Sequence, residues 1–177
     1  MNLNQDIEIS VLKPTDAWKL CDFVVSNEDR LRKYLPITVS ENLTPTLSQI
    51  FADEKLKQIN NGEEFLYTIK LCTSRELVGI TYLKNIDLAK HQGEFAYAID
   101  YRFTGNGIIP FVINRLVSEF SASLSLSKFQ IITNKDNPSS IRVAEKCGFK
   151  WTKTLPKVFK PPGRAAMDME LYELSLA

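Results

Sequence analysis

Two stretches hold the residues whose types and spacing could do chemistry. The first runs from Glu94 to Phe120 and contains a carboxylate, a run of aromatic and aliphatic residues, and the turn Thr104-Gly105-Asn106-Gly107-Ile108-Ile109. Glycine lets a ligand come close to the main chain. Free N–H groups at a helix start, aligned with the helix dipole, favour an anion by up to ~2 kcal/mol when partly buried. A strand, a glycine turn and a helix in that order can hold a phosphate. The second stretch is Asn137-Pro-Ser-Ser-Ile-Arg-Val-Ala-Glu-Lys-Cys-Gly-Phe149, in which Asn137 and Ser140 are hydrogen-bonding groups. His91 is the only histidine, so a His-based metal centre or catalytic triad is nearly excluded and no metal is expected. Cys21, Cys72 and Cys147 are odd in number and widely spaced, which fits free or buried thiols in a reducing compartment rather than a disulfide framework. Nothing near Cys147 marks it as an activated thiol, and it reads as packing.

The elements that must position these groups follow from pattern. Glu94 to Ile99 is aromatic and β-tolerant, a strand. Its alternation puts Glu94, Ala96, Ala98 and Asp100 on one face and Phe95, Tyr97 and Ile99 on the other. After the glycines, Ile108, Ile109, Phe111, Val112, Leu116 and Phe120 recur at roughly helical spacing. Three phosphate-binding designs share that outline. A dinucleotide fingerprint needs a third glycine where this chain has Pro110, and a P-loop needs a Gly-Lys-Ser/Thr that does not occur. What remains is the short Gly-x-Gly turn of acyl-CoA enzymes, or an ordinary strand-to-helix turn that uses glycine for its geometry alone. Asn137 and Pro138 suit an N-cap and first helical position, Lys146 a last turn and Gly148 the residue beyond it, so capping alone also explains that run.

Elsewhere, Ile7, Ile9 and Val11 alternate with Glu8 and Ser10 as a strand with one buried face. Pro14 and Asp16 suit a first helical turn, and Ala17, Leu20, Cys21, Val24 and Val25 form an apolar stripe. A short helix from Arg30 to Leu35 stops at Pro36, with Leu31, Tyr34 and Leu35 closing the core and Arg30, Arg32 and Lys33 on a solvated face. Residues 36–44 read as a loop. Thr44 and Pro45 open a helix that ends near Asn60-Asn61-Gly62. Phe65–Cys72 and Leu77–Lys84 form a hairpin, and residues 85–92 a longer connection. A short strand spans Phe129–Thr133. Two further strands, Trp151–Phe159 and Ala166–Leu174, close the chain.

At 177 residues the chain fits one domain, residues 1–177. Its 44% hydrophobic and 24% charged residues are ordinary for a globular protein, and a formal charge of +1 gives no global basic field to attract nucleic acid or an anionic membrane. Met1 to Ile9 is polar and acidic, unlike a signal peptide, and no apolar run is long enough to span a bilayer. A cytoplasmic protein is expected.

Taken together, Glu94-Phe-Ala-Tyr-Ala-Ile-Asp, Thr104-Gly-Asn-Gly-Ile-Ile and the Asn137 to Phe149 run resemble the GNAT N-acetyltransferase superfamily, within it the RimJ/RimL-like branch named for ribosomal-protein N-terminal acetyltransferases. The likeness extends over most of the chain. It implies an α+β fold with a mixed, largely antiparallel central sheet flanked by helices, and direct transfer of an acetyl group from acetyl-CoA to an amine, either a protein N-terminus or a small molecule. By the resemblance, main-chain groups of Tyr97 and Ile99 hold the pantetheine arm of coenzyme A, and N–H groups from Thr104 through Gly105, Asn106, Gly107 and Ile108 to Ile109 hold the pyrophosphate. The resemblance also implies Glu94 as the general base, acting through water, with Ser140 and Asn137 near the thiol; by alternation alone Glu94 reads equally well as the polar side of an exposed strand. Family members often pair as dimers, which leaves both a homodimer and a monomer open.

Arg102-x-x-Gly-x-Gly matches the family's phosphate turn literally, but a register shifted by two, with Thr104 opening the motif, keeps the strand-to-turn distance. In that register Thr104, Ile109 and Pro110 depart from the usual long polar residue, small residue and N–H donor. Ala144 stands where many members carry a tyrosine acid. These departures keep a second reading open, a non-catalytic acyl-CoA-binding protein on the same fold, and a third, a structural domain without cofactor.

Overall fold

The computed structural model describes residues 6–176, so the leader reading of the first five residues lies outside the described residues. Its strands are β1 (Ile7–Val11), β2 (Phe65–Leu71), β3 (Leu77–Asp87), β4 (Gln92–Ile99), β5 (Lys128–Thr133), β6 (Lys150–Phe159) and β7 (Met167–Ser175). They hydrogen-bond in the order β1-β2-β3-β4-β5-β7-β6. Pairing is antiparallel for β1 with β2, β5 with β7 and β6 with β7, and parallel for β4 with β5. The helices are α1 (Ala17–Ser26), α2 (Glu28–Tyr34), α3 (Pro36–Ser40), α4 (Pro45–Asn60), α5 (Ile108–Leu124) and α6 (Pro138–Lys146). This is the mixed, mostly antiparallel sheet with flanking helices that the sequence implied. Backbone contacts cluster into two units, residues 1–82 with 97–108, and residues 83–96 with 109–177.

In the first unit Ile9 lies opposite Ile69 across the β1–β2 ladder, and both are buried with Leu66, Val78 and Ile80. Helix α1 buries Ala17, Leu20, Cys21, Phe23 and Val24, while Val25, expected in the stripe, is exposed. Its start is a 3-10 turn, Pro14–Asp16, whose Asp16 carboxylate meets Lys70 Nζ at 2.7 and 2.8 Å and accepts the Lys13 amide at 3.0 Å. Both side chains are almost completely buried, at 1% and 2% exposure. A pair this far from water needs such geometry to offset its desolvation.

Residues 36–44, expected as a loop, contain α3. The β-branched run Ile37-Thr38-Val39 has poor helix propensity, but Val39 is fully buried and the Thr38 hydroxyl lies 3.1 Å from the Tyr82 hydroxyl, so packing overrides it. Burial raises the Tyr82 hydroxyl above its ordinary titration range. Thr44 caps α4 as expected, accepting from the Leu47 amide at 3.2 Å.

In the second unit β5 runs beside β4 with Gln92 opposite Lys128 and Phe95 opposite Ile131, and the Phe95 and Phe129 rings stack with centroids 5.5 Å apart. Helix α5 buries Ile109, Val112, Ile113, Leu116, Val117 and Phe120, whereas Phe111 is exposed. Residues 85–92 are not a long connection. Strand β3 continues to Asp87 and β4 starts at Gln92, so only 88–91 turn. Met169 and Leu171 of β7 are buried, as their alternation implied.

Candidate functional site

Strand β4 gives way to a 3-10 turn, Tyr101–Phe103, capped by Asp100 through the Arg102 amide at 2.9 Å. Asp100 is buried and also accepts from Arg102 Nε (2.9 Å), Arg102 Nη2 (3.0 Å) and Asn27 Nδ2 (3.1 Å). Burial alone would raise its carboxyl, but the hydrogen bonds from Arg102 and Asn27 outweigh it and hold the group below the usual carboxylate range. Asn27 completes the clamp by accepting the Tyr101 amide at 3.1 Å. The Arg102 guanidinium also bonds Glu76 and is committed to these two carboxylates.

The clamped segment leads into the glycine turn. Thr104 is extended, Gly105 has φ +86° and Gly107 has φ +76°, and α5 begins at Ile108. Both glycines occupy the left-handed region, which strains other residues. A Cβ at either would meet nothing within 4 Å, so the requirement comes from backbone conformation and the space beside the turn is open. Thr104, Gly105 and Asn106 are exposed. The Arg30 guanidinium of α2 donates to Thr104 Oγ1 at 3.4 Å, and no ion pair holds Arg30 among the described residues. Tyr97 and Ile99, half-buried, end β4 just before this turn.

Glu94 lies on β4 in the second unit with only 7% of its surface exposed. Its Oε2 accepts from Asn85 Nδ2 at 2.7 Å, and its Oε1 lies 3.3 Å from Lys84 Nζ. The amide and the cation together fix the orientation of this carboxylate.

Helix α6 is built as its sequence reads. Asn137 Oδ1 accepts the Ser140 amide at 3.3 Å, Pro138 is the first helical residue, and Gly148 takes φ +82° beyond the last turn. Ala144 is fully buried. The Cys147 thiol donates to the Pro110 carbonyl at 3.7 Å and is pushed up to about 11 by burial, which makes it an unreactive packing group. Cys21, Cys72 and Cys147 are all free thiols.

The residues singled out from sequence thus fall in two groups. Tyr97, Ile99, Thr104, Gly105, Asn106, Gly107 and Ile108 belong to the first unit, and Glu94, Ile109, Asn137 and Ser140 to the second. Sequence reasoning missed Asn27, Arg30, Lys84 and Asn85 as neighbours of these groups. Among the described residues no group of three or more His, Cys, Asp and Glu could hold a metal ion, and no helix is long and apolar enough to cross a membrane.

A family model described as an acetyltransferase (GNAT) domain matches residues 7–150. YdaF of Bacillus subtilis (strain 168), provisionally named a ribosomal N-acetyltransferase, is 30% identical over 155 residues, 83% of this chain and 79% of that protein. Among solved structures, the microcin C7 self immunity acetyltransferase MccE, in complex with acetyl-CoA and AMP, matches with a TM-score of 0.88 at 23% identity, over 98% of this chain and 94% of that one. The ribosomal-protein-S5-alanine acetyltransferase from Vibrio fischeri also gives 0.88, at 18% identity, over 96% and 93%. These two likenesses establish the fold.

Proposed function

The chain belongs to the GNAT acetyltransferase family, and we propose that it moves the acetyl group of acetyl-CoA directly to a primary amine within a ternary complex. The observation that carries this reading is the exposed turn at Gly105 and Gly107, left-handed at both glycines, open beside both and placed at the head of a 17-residue helix. Acetyl-CoA would supply an activated thioester and a diphosphate. The diphosphate belongs on the N–H groups of the turn from Gly105 to Ile109; the Thr104 amide, expected to join them, already donates to the Tyr101 carbonyl at 3.3 Å, and Pro110 has none. The commitment of Arg102 to Asp100 and Glu76 supports the register in which Thr104 opens the motif. Main-chain groups of Tyr97 and Ile99 take the pantetheine arm as an added strand would.

An amine attacks the thioester only when neutral. Glu94 receives its proton through a water, while the carbon–sulfur bond breaks and the departing sulfur is stabilised by hydrogen bonds from Ser140 and Asn137. The names of YdaF and of the V. fischeri enzyme favour the N-terminal amine of a ribosomal protein as acceptor, which fits a cytoplasmic setting. Replacing Glu94 with Gln keeps the shape and removes the base. Turnover is expected to fall ~10²–10⁴-fold with the dissociation constant for acetyl-CoA unchanged. Wild-type turnover in Glu94→Gln would remove Glu94 from the mechanism.

A further inference from the structure

Lys84 and Asn85 are adjacent in sequence on β3, yet both address the carboxylate of Glu94. Neighbouring side chains on a regular strand point to opposite faces, so this convergence needs a break in the pleat. The backbone supplies it at Asn85, where φ is +50°, in the left-handed region. Asparagine is among the few residues other than glycine that visit this region routinely. Strained backbone of this kind persists where the surroundings demand it and clusters at functional sites. The consequence is that Glu94 has both oxygens assigned, Oε2 to the Asn85 amide at 2.7 Å and Oε1 to the Lys84 ammonium at 3.3 Å.

We propose that Lys84 and Asn85 are positioning residues that hold the Glu94 carboxylate in one orientation, aimed at the acceptor amine, with the left-handed Asn85 as the device that brings both to it. This rests on the reading of Glu94 as the base. Fixing the carboxylate removes rotamers that cannot accept the proton, and the ammonium supplies a counter-charge beside a largely buried side chain. A purely structural role would instead show as lost stability, with transfer rate and cofactor affinity moving together or not at all.

The test is Asn85→Gly, which keeps the left-handed backbone available and deletes only the amide, on an exposed residue whose loss leaves the core intact. It is measured alone and combined with Glu94→Gln, alongside Lys84→Met and Lys84→Arg. For Asn85→Gly alone kcat is expected to fall about 10- to 100-fold, the effect of one hydrogen bond to a charged group, with KM for acetyl-CoA unchanged. Added to Glu94→Gln, it is expected to cost nothing further, because its only route to the chemistry is already gone. Lys84→Met should lose a similar factor and Lys84→Arg should regain most of it. Should Lys84→Met fail to fold, the Asn85→Gly cycle decides alone. Wild-type kcat in Asn85→Gly, or the same fold-loss in both backgrounds, overturns this inference and leaves Glu94 as base. Wild-type kcat in Glu94→Gln removes the base itself, and the inference falls with it.

Discussion

Replacing Gly107 with Ala separates a turn that binds a ligand from one that only needs its shape. At φ +76° an alanine Cβ costs ~1–2 kcal/mol of backbone strain. The stiffer unfolded chain returns ~0.4–1 kcal/mol of that. Nothing lies within 4 Å of the added carbon, so no steric cost joins the sum. The net loss of up to ~1.6 kcal/mol lowers Tm by at most about 6 °C in a chain of this size. Gly62 is a matched control, with φ +70° and equally empty surroundings, beyond the end of α4. Both alanine variants should lose the same few degrees in a thermal melt. Calorimetric titration with acetyl-CoA should then part them. Gly62→Ala keeps wild-type affinity, whereas Gly107→Ala places a methyl where the proposed site brings the diphosphate to the amides. Losing one or two charge-assisted hydrogen bonds at ~1.5–3 kcal/mol each weakens binding at least ~10-fold. Equal Tm losses with wild-type affinity in both variants would refute the argument and leave the glycines a geometric role only.

Ser140→Ala is expected to raise the transfer barrier by ~1–3 kcal/mol in single-turnover measurements if the hydroxyl supports the departing sulfur. The cap on Asn137 uses the Ser140 amide and survives the change, and an unchanged barrier would reassign the hydroxyl to a structural role. Lys70→Met leaves the Asp16 carboxylate buried without its cation, and denaturant unfolding should show a loss of ~3–5 kcal/mol, much of it recovered when Asp16→Leu is added. A loss below ~1 kcal/mol would contradict the burial of the pair. In acid, the hydrogen bond from Arg75 first of all holds Glu8 at about 2, against an ordinary 4.5, despite opposing desolvation. Because the folded value is depressed, its stabilisation is present above about 4.5 and is lost as pH falls toward about 2. Asp100 acts in the same sense. Urea midpoints across that window should fall less steeply in Glu8→Gln than in the wild type; parallel curves would dismiss the contribution.

The groups legible in the sequence are those whose reason is local. Gly105 and Gly107 announce left-handed turn geometry by lacking a side chain, and Asn137, Pro138 and Gly148 announce the two ends of a helix within a dozen residues. What escaped depends on partners distant in the chain. Asn27 has no local pattern that predicts its bond to Asp100, seventy-three positions on. Helix α3 hid behind β-branched residues because its support, the Thr38 to Tyr82 contact, spans forty-four positions. The approach of Lys84 and Asn85 to Glu94 was missed for a different reason. A period of two cannot foresee a left-handed residue inside a strand, so the pattern ended β3 too early and missed the groups facing Glu94. An asparagine at the limit of a strand pattern was the one available signal.

The most direct test of acetyl transfer follows the thiol and the amine together. Acetyl-CoA is mixed with the protein and with peptides copying ribosomal-protein N-termini or with small amines. Released CoA thiol is counted while mass spectrometry reads the amine. One acetylated amine for each thiol released, on at least one acceptor and nearly abolished in Glu94→Gln, is the predicted result. Acetyl-CoA binding by calorimetry with no amine acetylated, or thiol release that leaves every amine unmodified, would contradict it.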